Sequence, residues 1–307
     1  MYNVALSTMW GIKRFERFER FGDFFAAGQE AGFSRFELNH AVNSAMLDSV
    51  HLNGYRVTSV HEPCPADISV AELKKRDWLI SATDEENRQH GVEAVRRSID
   101  LAQALGASVV IVHPGRVNTD ESLESVLRQM YREGQSSTPE YEQAKARMVD
   151  VRARRADVHL QAVRCSLDEL AAHAARKGVR LALENRDHYF EMPLLDELDF
   201  LLNQGYGEAV GYWHDIGHAE KSQYKGYGSH EEWLKRFAPK MIGVHLHDIV
   251  GLDDHLAAGR GDMNWDMVAR YLPENVLRTC EFQNTNSPSQ IADGLRWLAE
   301  KGFVSEA

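Results

Sequence analysis

The sequence has few of the features that mark secreted, membrane-bound or disulfide-rich proteins. It contains only 3 cysteines in 307 residues, and they lie far apart at positions 64, 165 and 280. An odd number of scattered cysteines offers neither a disulfide framework nor a Cys-x-x-Cys pair, which favours a reducing compartment. No apolar run approaches the roughly 20 residues that a membrane helix needs, and the N-terminus lacks a basic start followed by an apolar stretch. We therefore expect a cytoplasmic protein with no membrane partner.

Positive charge is also scarce. The 35 Lys and Arg residues are outnumbered by 46 Asp and Glu residues, which gives a formal net charge of −11. This balance disfavours a surface that binds the phosphate backbone of a nucleic acid, because Lys and Arg supply most of the affinity for phosphates. The basic run "RARR" (152–155) is more simply the solvated face of a charged helix. We expect no nucleic-acid partner.

The sequence does contain a regular alternation of strand and helix patterns, in a composition of 43% hydrophobic and 26% charged residues. The β-rich runs lie at 2–7, 35–39, 57–63, 108–115, 179–185, 209–215, 241–248 and 277–283. Such strand–helix units predict a (β/α)8 TIM barrel built as a single domain over residues 1–307. An open doubly wound sheet is the alternative, but no Gly-x-Gly-x-x-Gly turn follows the first strand.

One strand–helix unit is much longer than the others. Between the fourth and fifth strands lie a polar break, "EGQSSTPEYEQ" (133–143), and a long charged helix pattern that extends from about 139 to 178. We interpret residues from about 116 to 160 as an extended helical insertion after the fourth strand. The insertion either covers the barrel mouth or forms an interface, which leaves a homo-oligomer open.

Ionisable side chains stand at the ends of the last six predicted strands. They are His61, His113, Glu184, Asp215 followed by His218, His245 followed by His247, and Glu281. In a barrel of this kind the carboxyl ends of all strands face one mouth. Carboxylates and imidazoles gathered in one buried place need a cation, a ligand or large pKa shifts. Mixed donors of this kind suit zinc, manganese, cobalt or iron(II) better than calcium or magnesium, so the sequence predicts a divalent-metal site.

Several other residues are candidates for the same mouth. Asp253 and His255 follow the seventh strand closely enough to reach a metal, and His218 and His247 are either substrate contacts or further ligands. Arg260 is placed to hold an anionic group, with a solvated loop arginine as the alternative. Trp10 follows the first strand and is either the floor of a substrate pocket or a core residue.

The stretch "HLHDIVGLDDHLAAGRGDMNW" (245–265) resembles the signature of the sugar phosphate isomerase/epimerase group of the xylose-isomerase-like TIM-barrel superfamily. That signature has His-Leu-His-Asp, a short loop, Asp-x-His, Gly-x-Gly and an Ile-x-Trp-like end, and Met263 stands where Ile is usual. The resemblance extends to "HPG" (113–115), "LEN" (183–185), "HDIGH" (214–218) and Glu281. It therefore spans about the second to the eighth strand.

The resemblance implies a metal-dependent enzyme that acts on a small carbohydrate. In the epimerase branch, one divalent metal is held at the positions matched here by Glu184, Asp215, His245 and Glu281, and the two glutamates move a proton beside a carbonyl. In the apurinic endonuclease branch, three zinc ions use a larger set, matched here by His61, His113, Glu184, Asp215, His218, His245, Asp253, His255 and Glu281.

From these matches we expect a sugar, sugar-acid or polyol isomerase or epimerase that uses manganese, zinc or cobalt, with more than one ion left open. Glu184 and Glu281 are its expected catalytic pair. Two alternatives stay open. One is a multinuclear zinc phosphodiesterase, and the other is a barrel that binds a sugar without turnover.

Overall fold

In a computed structural model, which describes residues 1–12, 18 and 20–307, the chain forms a closed barrel of parallel strands. The strands are β1 (Tyr2–Ser7), β2 (Phe33–Leu38), β3 (Arg56–His61), β4 (Val109–Val112), β5 (Arg180–Glu184), β6 (Val210–Asp215), β7 (Met241–Leu246), β8 (Asp248–Val250), β9 (Asp253–Leu256) and β10 (Leu277–Cys280). The order around the barrel is β1-β10-β7-β6-β5-β4-β3-β2, while β8 and β9 form a separate antiparallel hairpin. The predicted (β/α)8 barrel is confirmed.

Helices connect the strands on the outside of the barrel. They are α1 (Met9–Ile12), α2 (Phe21–Glu30), α3 (Ser44–Asp48), α4 (Val70–Arg76), α5 (Glu85–Leu105), α6 (Ser122–Arg132), α7 (Pro139–Lys177), α8 (Leu195–Leu202), α9 (Ile216–Tyr224), α10 (His230–Phe237), α11 (Trp265–Tyr271) and α12 (Pro288–Glu300). Local sequence sets their ends. Asp84 caps the start of α5 through the amide of Asn87, and Gly106 ends that helix with a left-handed φ of 70°. Among the described residues, no helix has the length and apolar character to cross a membrane.

Several strands end earlier than the sequence patterns indicated. β4 ends at Val112 rather than at residue 115, and β10 ends at Cys280 rather than at residue 283. His113 leaves the backbone ladder after β4, because its amide donates to Glu62 Oε1 at 3.1 Å. After β10, the amide of Glu281 still donates to the Leu246 carbonyl at 3.3 Å. The apolar parts of the strands remain in the sheet, and the polar ends turn towards the site.

The predicted insertion after the fourth strand is confirmed as α6 and the long helix α7, which has 39 residues. An apolar cluster of Leu127, Tyr141, Met148 and Phe190 attaches it to the loop that follows β5. Arg128 of α6 pairs with Asp187 in that same loop at 3.0 Å. The insertion therefore packs against the carboxyl-end loops of the barrel, beside the mouth.

Candidate metal centre

Four side chains from the ends of neighbouring strands converge at the centre of the mouth. They are Glu184, Asp215, His245 and Glu281, and all four are 0–3% exposed. His245 Nδ1 lies 2.9 Å from Glu184 Oε1, 3.4 Å from Asp215 Oδ2 and 3.2 Å from Glu281 Oε2. Two donors that are each about 2.0–2.2 Å from one ion stand about 3 Å apart, so these separations suit a single divalent metal. We refer to these four residues as the central group.

A carboxylate that the sequence reasoning missed stands behind His245. Glu37, at the end of β2, lies 3.1 Å from His245 Nε2 and accepts a hydrogen bond of 2.8 Å from the Ser59 hydroxyl. A carboxylate on the far nitrogen of a ligating imidazole fixes its tautomer and orientation and raises its basicity. The signal for Glu37 was present in the sequence, because an acidic residue interrupts the otherwise apolar end of "RFEL".

The charges of the central group depend on one another. Burial opposes ionisation of Glu184, but Arg186 and His113 outweigh it and hold the pKa of Glu184 well below its usual range. Burial likewise opposes a charge on His245, yet Glu281 and Glu37 raise the pKa of His245 well above its usual value. Without a bound ion, a proton on His245 therefore offsets the surrounding carboxylates, and a metal ion would take over that role.

Burial also raises the pKa of Glu281. The nearby carboxylates Glu37 and Glu184 add to this rise, while His245 opposes it. The two glutamates of the central group thus have pKa values displaced in opposite directions by their surroundings.

Three further groups of possible metal donors adjoin the central group. One of them, Asp215 with His247 and His255, shares Asp215 with the central group, and the other two flank it. The first flanking group is His61, His113 and Glu184, and the second is His218, Asp254 and His255. In the second, Nδ1 of His218 faces the Asn185 carbonyl at 3.0 Å, and Nδ1 of His255 faces the Glu281 carbonyl at 3.0 Å. Each Nδ1–H therefore donates to a carbonyl, which leaves Nε2 as the acceptor nitrogen, the arrangement common in metal-ligating histidines.

Asp253 does not reach the site, and Asp254 stands in its place. The Asp253 side chain is 79% exposed, and its nearest charged neighbour is Arg132 at 3.9 Å. Regular strand alternation would bring Asp253 and His255 to one face, as the Asp-x-His pattern suggested. His255 instead adopts a φ of 57°, which breaks the alternation of β9 and turns Asp254 and His255 inward together.

Asp248 holds the loop that follows β7 in place. Its fully buried carboxylate accepts hydrogen bonds from the backbone amides of Ile249, Gly259, Arg260 and Met263 and from the Trp265 indole. Gly261 is required here, because a Cβ would lie 2.3 Å from the Ile249 carbonyl oxygen. Asp248 thus anchors the loop, Asp253 and Asp262 are exposed, and the remaining aspartate and the histidines of 245–265 belong to the donor groups at the mouth.

The "HDIGH" segment connects the end of β6 with the residues that follow β7 at the mouth. Asp215 caps α9 through the amide of His218 at 2.8 Å and also lies 3.1 Å from His247 Nε2. His247 Nδ1 accepts from the His255 amide, so Nε2 is the protonated nitrogen and donates to Asp215. Gly217 permits this approach, because a Cβ would lie 2.2 Å from His247 Cε1. His247 is thereby positioned as a partner of Asp215.

The other two predicted substrate contacts lie elsewhere. Trp10 is fully buried, donates its indole N–H to the Asn286 carbonyl, and packs against Phe18 and Phe24. The structure therefore favours a core position for Trp10 over a position on the floor of a substrate pocket. Arg260 is 44% exposed and lies 3.8 Å from Asp293 on the surface, away from the donor groups.

Two buried cations that the sequence reasoning did not single out border the donor groups. Arg186 Nη1 lies 2.7 Å from His113 Nε2 and also bonds Glu184. Lys221 Nζ lies 2.6 Å from Asp254 Oδ2 and 3.0 Å from Asp187 Oδ2. Neither Arg186 nor Lys221 lies in a recognisable sequence motif. Each is therefore identified only by its tertiary contacts with the donor groups.

A relative from Sinorhizobium fredii (strain NBRC 101917 / NGR234), the uncharacterized protein y4fM, is 25% identical over 213 residues, which cover 67% of this chain and 54% of the relative. The chain thus spans about half the length of this curated relative.

Solved structures have similar folds. A D-tagatose 3-epimerase-like protein superposes with a TM-score of 0.66 at 20% identity, covering 97% of this chain and 96% of the other. The IOLI protein with a bound zinc atom superposes with a TM-score of 0.62 at 13% identity, covering 97% of both chains. At such identities the likeness concerns the fold.

The family model of the xylose isomerase-like TIM barrel matches residues 25–301. That match includes β2 to β10, the insertion and every donor residue described above. The chain belongs to the xylose isomerase-like TIM barrel family.

Proposed function

We propose that the protein is a metal-dependent isomerase or epimerase of a sugar, sugar acid or polyol, with its ion in the central group. The observation that carries the proposal is the convergence of Glu184, Asp215, His245 and Glu281 on one buried point, with donor separations from His245 of 2.9–3.4 Å. The fold it shares with a D-tagatose 3-epimerase-like protein, and with a barrel that has bound zinc, supports the same class of chemistry. A bound divalent ion would supply Lewis acidity to the oxygens of a carbonyl and a neighbouring hydroxyl.

The chain's own residues would provide the proton transfer. Glu184 ends β5 and Glu281 directly follows β10, and these two strands are separated in the barrel by β6 and β7. They would therefore approach a substrate from different sectors of the mouth. One carboxylate would take the proton from the carbon beside the carbonyl, and the other would return a proton from its own side. Asp215 and His245 would hold the ion, with Glu37 and His247 orienting them.

Solvent-deuterium exchange, followed by NMR in deuterium oxide, tests this proposal. Metal-loaded protein is incubated with a panel of ketoses and keto-acids, and deuterium is expected at the carbon beside the carbonyl of a true substrate. Glu184→Gln and Glu281→Gln should each lower the exchange rate by about 10²–10⁴-fold. Asp253→Asn is the matched control, because this neighbouring carboxylate is 79% exposed and outside the donor groups.

Two results would contradict the assignment of the glutamates. Turnover without any solvent deuterium would indicate a hydride shift between carbons and would remove their acid–base roles. Sugar binding without exchange for any substrate in the panel would favour a barrel that binds without turnover.

The second candidate function is a multinuclear zinc phosphodiesterase. The observation in its favour is the pair of flanking groups, His61 with His113 and Glu184, and His218 with Asp254 and His255. Its test is nicking of a duplex that contains an abasic site, with zinc-loaded protein. Zinc-dependent nicking would establish this candidate, and the net charge of −11 predicts that nicking is absent at physiological salt.

A further inference from the structure

The first flanking group already contains a cation of the chain. Arg186 Nη1 lies 2.7 Å from Nε2 of His113 and donates to Glu184 Oε2, so it uses donor atoms of two of the three residues in that group. A metal ion in the group would need these same lone pairs at about 2.0–2.2 Å. The Arg186 guanidinium and a metal ion therefore cannot both bind these lone pairs of His113 and Glu184 at the same time.

Arg186 is held in this position from its other side. Its Nε lies 3.3 Å from Glu191 Oε2, and the side chain is 14% exposed. Glu191 is in turn paired with Lys74 at 2.8 Å and is 4% exposed in its side chain. The guanidinium is therefore fixed by two buried carboxylates rather than extended towards solvent.

The second flanking group is bordered in the same way. Lys221 Nζ lies 2.6 Å from Asp254 Oδ2, and its side chain is only 7% exposed. Asp187, at 3.0 Å, is the second partner of Lys221, and Arg128 also pairs with Asp187. The carboxylate that this group offers to a metal is thus already neutralised by an ammonium of the chain.

The central group is different. Among the described residues, the charged partners recorded for Asp215 and Glu281 are histidines, and Glu184 reaches Arg186 only through Oε2 while Oε1 faces His245. Glu37 adds a further carboxylate behind His245. In the part of the chain that the structure describes, no Lys or Arg therefore pairs with Asp215 or Glu281, whereas each flanking group contains a carboxylate that pairs with one. The group of Asp215, His247 and His255 offers no free lone pair on His247, because Nδ1 accepts from the His255 amide and Nε2 donates to Asp215.

We infer that Arg186 and Lys221 are built-in cations of the two flanking groups, so that the chain binds a single divalent ion, in the central group. The inference rests on the proposed function in one respect, since it takes the central group as the metal site. Arg186 and Lys221 thereby limit the number of metal ions that the chain binds. A phosphodiester chemistry that needs several adjacent ions is thereby disfavoured, and Lewis-acid chemistry at one ion is retained.

Metal counting tests the inference without any substrate. Metal-free protein is dialysed against zinc or manganese, and the bound metal is measured by elemental analysis. The wild type should hold about one ion per chain, and Arg186→Met and Lys221→Met should each hold about two, because each frees an N/O donor group. Arg186→Lys retains a cation and should remain at about one ion, which separates charge from the loss of the side chain.

Each outcome decides the question. Two or three ions in the wild type, or an unchanged count in a folded Arg186→Met and a folded Lys221→Met, would overturn the inference but leave the metal of the proposed function in place. No metal in any variant would overturn both. Circular dichroism and thermal melting show whether each variant is folded. If Arg186→Met does not fold, Arg186→Gln replaces it, because its amide retains a donor to Glu191.

Discussion

His245 is the residue on which the mouth of the barrel is centred. One ring nitrogen faces the other three members of the central group, and the other faces Glu37. With an ion in the central group, the resulting carboxylate–imidazole–metal order would orient the ring and strengthen its Nδ1 as a ligand. Glu37 contributes no atom to the central group, yet it belongs to the same electrostatic unit.

Replacing Glu37 should therefore weaken metal binding without removing a ligand. Glu37→Gln keeps the shape of the side chain but loses the charge that supports His245, and metal affinity should fall by about 10–100-fold. Isothermal titration calorimetry with manganese or zinc measures the change. Ser59→Ala, which removes only a hydrogen-bond donor to Glu37, is the milder control. Equal affinities of Glu37→Gln and the wild type would contradict this role.

Metal affinity should also depend on pH, with a sign set by His245. Despite its burial, the pKa of His245 lies well above its usual value, mainly because of Glu281 and Glu37. The ring therefore keeps its proton to higher pH than an ordinary histidine, and an incoming ion must displace that proton. Affinity should rise as pH increases from about 6 to 8. Titrations in buffers of different ionisation enthalpy should show proton release, and binding without proton release would contradict this prediction.

The sequence predicted the residues that carry recognisable motifs and missed those that do not. Glu184, Asp215, His245 and Glu281 stand at strand ends and were identified from the strand pattern and the family resemblance together; the structure brings them together, and their role as ligands stays a prediction. Arg186 and Lys221 lie in a loop and a helix with no motif, and only tertiary contacts place them at the mouth. Asp254 replaced Asp253 because the left-handed φ of His255 is not visible in a strand pattern.

At the scale of the element, the loop from His245 to Trp265 is held by one buried side chain. Asp248→Ala would leave four backbone amides and the Trp265 indole without their acceptor. Hydrogen bonds to a buried charge are worth about 1.5–3 kcal/mol each, so the variant should lose at least about 3 kcal/mol of unfolding free energy. Urea denaturation followed by circular dichroism measures the loss.

Asp253→Ala is the matched control for Asp248, since it removes an exposed aspartate from the same loop. It should leave the unfolding free energy almost unchanged. If both variants unfolded at the same urea concentration, Asp248 would not be the anchor of the loop.

The insertion is attached to the barrel by a buried ion pair as well as by apolar contacts. Lys225 Nζ of the loop after α9 is fully buried and lies 2.7 Å from Glu124 Oε1 of α6. Lys225→Met would leave Glu124 buried without its cation, and such a break costs about 3–5 kcal/mol. Thermal or urea unfolding should show this loss. Lys235→Met, which breaks an exposed pair with Glu231, should have little effect.

A smaller loss in Lys225→Met than in Lys235→Met would contradict the attachment of α6 through this pair. The sequence predicted that the insertion is helical, because the charged helix pattern is a local signal. It did not predict where the insertion lies. That depends on contacts between distant segments, such as those in the cluster of Tyr141 and Phe190.

At the scale of the whole molecule, the barrel was the most predictable feature, because eight alternating strand and helix patterns leave few ways to bury a parallel sheet on both faces. The barrel gathers the strand ends at one mouth, and charge is distributed unevenly within it. Arg186 and Lys221 border the flanking groups, while the central group retains the carboxylates. This distribution of charge favours one metal ion, bound in the central group.

Anomalous X-ray diffraction from crystals grown with manganese or zinc, collected at the absorption edge of the metal, tests this claim most directly. The account predicts a single anomalous peak about 2.0–2.2 Å from donor atoms of Glu184, Asp215, His245 and Glu281, with Arg186 still beside His113. Peaks at His61 with His113, or at His218 with His255, or no peak in the central group, would contradict it.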